Sequence, residues 1–185
     1  MKDEEKQAVR NAKVVEALYE KPLSFGNFAT VVKMGTNTEI CLLNYKVESV
    51  LAYMAETFGR SLEVLRSRRS CVNGRPHGHM DYYEISCSQI YMPVPYCKAF
   101  NRNHSTLAYP NVARIVRGEA APGGKSQIRF LSGGVLPVQL SLKRLREKID
   151  LGRRLLYADL FAAEMELKGL RRTIQRIQQQ EREWL

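Results

Sequence analysis

Tryptophan occurs once among the 185 residues, histidine three times and cysteine four times, and no long apolar run is present. Each scarcity excludes something. Cys41, Cys71, Cys87 and Cys97 form no Cys-x-x-Cys pair, and a chain of this length does not depend on disulfides, so they read as buried or idle thiols. His77, His79, Cys87, Cys97 and His104 fit no standard zinc spacing, so no metal is expected. No stretch approaches the roughly 18–20 consecutive apolar residues of a membrane span. Met1-Lys2-Asp3-Glu4-Glu5-Lys6 also lacks the apolar core of a signal peptide, so a cytoplasmic protein without a membrane partner is expected. A phosphate-binding loop is missing too, because Gly123-Gly124-Lys125-Ser126 has neither the spacing nor the preceding strand, and no nucleotide is expected. Without a nucleophile elbow, a carboxylate pair or a metal-binding helix, neither an enzyme nor a cofactor is expected.

What is plentiful is positive charge. Apolar residues make up 44% of the chain, enough for a core, while 29 Lys and Arg against 19 Asp and Glu give a net charge of +10 and a pI near 9.6. Such a field favours anionic partners, nucleic acid first. The charge is uneven: residues 1–59 carry −1, residues 60–117 carry +6, residues 118–139 carry +1 and residues 140–185 carry +4.

Periodicity predicts a helix over residues 3–20, from Ala8, Ala12, Val15 and Leu18 or Tyr19, ending before Pro22. Phe28-Ala29-Thr30-Val31-Val32 and Ile40-Cys41-Leu42-Leu43 flank Met34-Gly35-Thr36-Asn37 and predict a hairpin. A second helix is expected over 47–58, with Val50, Leu51, Met54 and Phe58 on one side and Gly59 as its stop. Pro122-Gly123-Gly124, Gly133-Gly134 and Pro137 read as a linker over 118–138. Beyond it a single helix of about 45 residues, roughly 65–70 Å long, is expected over 139–185. Leu160, Leu167, Leu170, Ile174 and Ile177 repeat there as a heptad seam, which predicts a coiled coil and a homo-oligomer. The step from Ile149 to Leu160 is a stutter, and Gly152 inside it marks an expected bend.

The segment 46–117 carries two basic motifs. The first is Arg66-Ser67-Arg68-Arg69-Ser70, followed by Arg75-Pro76; the second is Cys97-Lys98-Ala99-Phe100-Asn101-Arg102-Asn103-His104-Ser105-Thr106. In residue type, order and spacing the pair resembles the C-terminal DNA-binding domain of the bacterial replication initiator DnaA, over roughly 70 residues and without its ATPase. The resemblance implies a helix-turn-helix at 46–117 that binds double-stranded DNA. It implies minor-groove insertion for Arg69 with Arg68 and Arg66 beside it, and phosphate contacts for Arg75 and Lys98. Base reading would fall to Asn103, His104, Ser105 and Thr106, with Arg102 before them. Asn103 stands where the family has Asp, which implies a different site preference, and Pro110, six residues after His104, would end the recognition helix.

The expected fold class is therefore mainly α: an N-terminal helix and hairpin over 1–45, the helix-turn-helix, the linker and the coiled-coil helix. The expected function is that of a sequence-preferring DNA-binding regulator of transcription in a bacterium, phage or mobile element. The alternatives are a phage DNA-packaging recognition subunit and a coiled-coil scaffold with a basic surface for RNA or a partner protein.

Overall fold

The computed structural model describes residues 1–12, 14–24, 27–62, 82–98 and 105–183. Within these residues the protein is a mixed α/β fold rather than a mainly α one. Its elements are α1 (Asp3–Asn11), β1 (Ala17–Pro22), β2 (Phe28–Lys33), β3 (Glu39–Leu43), α2 (Val47–Thr57), β4 (Tyr83–Ser86), β5 (Gln89–Tyr91), β6 (Val94–Pro95) and β7 (Leu107–Pro110). After a 3-10 turn at Val112–Arg114 come β8 (Ile115–Ala121), β9 (Lys125–Phe130), β10 (Val135–Val138) and the long helix α3 (Leu142–Glu183).

An antiparallel five-stranded sheet in the order β3-β2-β1-β7-β6 forms the middle layer. Successive side chains leave a strand on opposite faces, and the burial follows that rule. Leu18, Val32 and Tyr109 point into a core shared with α1, α2 and the β4–β5 hairpin, built around Val9, Val50, Leu51, Met54, Ile85 and Tyr91. Ala17, Tyr19, Val31 and Ala108 point the other way. They meet Ile128, Phe130, Leu136 and Val138 of the β10-β9-β8 sheet and Leu145 and Ile149 of α3.

This arrangement corrects three expectations. The helix predicted over 3–20 stops at Asn11, and the chain re-enters as β1 at Ala17. As a strand with cores on both faces, β1 has no exposed positions from Ala17 to Glu20 and so no alternation to betray it. The helix-turn-helix is absent from the described part of 46–117. After α2 the chain runs through four strands, and Pro110 closes β7 instead of breaking a helix. The Gly/Pro stretch expected as a linker is the three-stranded meander β8–β9–β10. Gly123, Gly124 and Gly133 adopt positive φ at its two turns, and Pro137 sits on the edge strand β10, where a missing N–H is tolerated.

Other expectations match the fold. β2 and β3 pair as the predicted hairpin, from Ala29↔Leu43 to Lys33↔Glu39. α2 ends at Thr57 with Gly59 at φ 66°, and the Gly59 and Arg60 N–H groups donate back to the carbonyls of Glu56 and Ala55. The long C-terminal helix is present. It runs without interruption through Gly152, where the sequence marked an expected bend. A Cβ at that position would lie 2.7 Å from Val112 Cγ2 and 3.0 Å from Tyr82 Cε1, so the glycine serves close packing of α3 on the body.

Candidate nucleic-acid interface

Ser105 and Thr106, expected in the first turn of a recognition helix, form the extended approach to β7. The Tyr96 N–H donates to the Thr106 carbonyl at 2.8 Å, and the Ser105 N–H donates to Glu20 Oε2 at 2.7 Å. Ser105 Oγ accepts from the Leu107 N–H at 3.3 Å. Lys98 is exposed just beyond β6, so Lys98, Ser105 and Thr106 flank one connection between paired strands. Arg66, Arg68, Arg69, Arg75, Arg102, Asn103 and His104 lie outside the described residues.

The described residues on either side of the Arg-rich segment 63–81 are held by specific contacts. Leu62 is buried against the α2 side of the sheet, and Arg60 Nη1 donates to the Glu84 carbonyl at 2.7 Å. At the other end Tyr82 is buried, and its hydroxyl donates to the Lys148 carbonyl at 2.7 Å. The Lys148 ammonium stands 5.7 Å from the Tyr82 ring centre, and burial lowers its pKa. Tyr82, the first described residue after the segment carrying Arg66, Arg68, Arg69 and Arg75, therefore packs against α3.

That part of α3 is strongly basic. Residues 142–154 hold Lys143, Arg144, Arg146, Lys148, Arg153 and Arg154 against Glu147 and Asp150. Lys143, Arg144, Arg146 and Arg154 are exposed, while Arg153 spends its guanidinium on the carbonyls of Ile115 and Val116 at 3.3 and 2.9 Å. The remainder, 155–185, holds five basic and five acidic residues. The whole +4 of the C-terminal region thus resides in the half of the helix that docks on the body.

A further basic surface lies on the outer face of the three-stranded sheet, where Arg117 and Arg129 are cross-strand partners. Glu119 ties them together. Its Oε1 accepts from Arg129 Nε at 2.6 Å and Arg117 Nε at 2.9 Å, and its Oε2 from Arg129 Nη2 at 2.9 Å and Gln127 Nε2 at 3.0 Å. These bonds, Arg129's first, hold the Glu119 carboxyl down to about 2. The period-two fragments Arg117-x-Glu119 and Lys125-x-Gln127-x-Arg129 are the sequence trace of this face, and the glycine-rich turns conceal it.

Two buried carboxylates invite a catalytic interpretation that their partners answer. Glu16 accepts from the Ser132 N–H and hydroxyl at 3.3 and 2.9 Å. Glu20 accepts from the N–H of Ser105 and, at 3.4 Å, from that of Val47 at the start of α2. Both bind backbone donors and fasten connections to the sheet. Among the described residues no group of three or more His, Cys, Asp or Glu is placed to hold a metal ion, and no helix is long and apolar enough to cross a membrane. Comparison with protein-family models, curated proteins and solved structures returns no match.

Proposed function

We propose that the chain is a sequence-preferring double-stranded DNA-binding protein that regulates transcription. The observation that supports this reading is the exposed basic half of α3, with Lys143, Arg144, Arg146 and Arg154 in solvent. A second cationic run, Arg66, Arg68, Arg69 and Arg75, precedes Tyr82 in the sequence. Arg66, Arg68, Arg69 and Arg75 together with Lys143, Arg144, Arg146 and Arg154 supply phosphate contacts, which dominate affinity and make it depend on salt. Base discrimination falls to Arg102, Asn103 and His104 in the β6–β7 connection, whose side chains carry donors and acceptors suited to base edges. The likeness to DnaA is thus one of residue types and order, with a strand-rich body in place of the helical one.

The test is duplex binding followed by fluorescence anisotropy over a salt series, with random and selected sequences. Replacing Lys143, Arg144 and Arg146 by alanine is expected to weaken binding to all sequences alike and to flatten the log K against log salt slope by about 0.9 per lost phosphate contact. Asn103→Ala and His104→Ala are expected to narrow the gap between selected and random DNA. Binding that ignores both salt and these substitutions would sink the proposal, and a preference for single-stranded RNA would replace it with the scaffold reading.

A further inference from the structure

The C-terminal half of α3 leaves the body altogether. Leu155 and Leu156 still pack against the core, but from Glu164 to Gln180 every side chain is exposed. Leu160, Leu167, Leu170, Ile174 and Ile177 are 42–56% exposed along one stripe. Such a helix gains nothing from tertiary packing, and a heptad stripe of this kind is covered by another helix.

Charge identifies the occupant. Residues 157–167 contain Asp159, Glu164 and Glu166 and no basic residue, whereas residues 168–180 contain Lys168, Arg171, Arg172 and Arg176 and no acidic one. The free helix is thus negative in its first half and positive in its second. A parallel second copy would set Asp159 beside Glu164, so that its attractive pair of Glu166 with Arg171 is offset by a repulsive one. An antiparallel copy lays each acidic half on a basic half, with Glu164 facing Arg171 of the other chain twice over. The apolar layers agree with that direction. With Leu160, Leu167 and Ile174 at one seam position and Ala163, Leu170 and Ile177 at the other, an antiparallel register pairs Leu167 with Leu170, Ala163 with Ile174 and Leu160 with Ile177. Small meets large at Ala163, where a parallel pair would set two alanines together and leave a gap. The bond from Lys168 to Glu164 at 2.8 Å within one helix is between exposed groups and gives way at little cost.

We propose that the free half of α3 docks an antiparallel second copy of itself, forming a homodimer whose bodies lie at opposite ends of a two-helix rod. The proposal does not depend on DNA binding and is tested without DNA.

Sedimentation of the full chain should give the dimer mass, and Leu167→Glu with Leu170→Glu should give the monomer mass with an unchanged circular dichroism signature of the sheets, since both positions are exposed. Direction is read by disulfide trapping in a chain whose four native cysteines are serine. A mixture of Ala163→Cys and Ile174→Cys chains should cross-link to each other, whereas Ala163→Cys alone should not. A monomer at all concentrations overturns the proposal, as does cross-linking of Ala163→Cys to itself in preference to the mixed pair, which is the parallel result.

Discussion

Gly152 and Gly169 are two glycines in one helix with opposite consequences. In the open, alanine gains up to about 1 kcal/mol of helix propensity over glycine, and nothing lies within 4 Å of a Cβ at Gly169. Gly169→Ala is therefore expected to raise the thermal midpoint slightly. At Gly152 the added methyl meets Val112 and the Tyr82 ring, and overpacking of about 1–3 kcal/mol outweighs the propensity gain. Gly152→Ala is expected to lower the midpoint, measured by thermal unfolding of the same chain. Sequence spacing marked Gly152 as a weak point in a helix; only the packed structure shows that Tyr82 and Val112 occupy the space a side chain would need. Glu16 and Glu20 were equally opaque. In the sequence they sit in a run that mimics a helix face, and their partners, Ser132, Ser105 and Val47, are distant in the chain.

Among the elements, α2 was legible from its amphipathic spacing, and the length of α3 follows from the absence of a breaker after Pro137. β2 is as dry on both faces as β1, but its run Phe28-Ala29-Thr30-Val31-Val32 is β-prone and a turn separates it from β3. β1 was illegible because it has no exposed alternation and its Leu18 and Tyr19 continue the helical spacing of Ala8, Ala12 and Val15. The β8–β10 meander was hidden because its turns hold most of the glycine and proline, while its outer face mixes Val135, Arg117 and Glu119 without a clean pattern. The carboxylate of Glu119 holds β8 to β9, and its dependence on pH follows from its lowered pKa. A carboxyl whose folded pKa lies below its ordinary 4.5 contributes stability above that ordinary value and loses it as pH falls toward the folded value of about 2. Wild type is therefore expected to exceed Glu119→Gln by a constant margin near neutrality, with the margin shrinking from about pH 5 downward. Parallel urea titrations at pH 7 and pH 3 check it, and an equal margin at both would remove this role for Glu119.

At the scale of the whole molecule, α3 belongs to two territories. Its first half completes the core through Leu145 and Ile149 and carries the exposed cations, while its second half is electrically neutral overall and bears the apolar stripe. The continuity of α3 past Gly152 then makes it a ruler. A helix without a hinge transmits distance, and in the antiparallel register the two Lys148 positions stand 41 residues apart along the rod axis, roughly 60 Å at 1.5 Å per residue. On B-form DNA two turns span about 68–72 Å, so under the DNA binding proposed above the two bodies of the proposed dimer would meet the same side of one duplex only when their half-sites are phased accordingly. Moving the half-sites apart by half a turn should abolish cooperative binding and a full further turn should not restore it, because a rigid rod fixes length as well as angle. A flexible tether in the same place would recover at every whole turn, and a gel-shift series of spacer lengths tells the two apart.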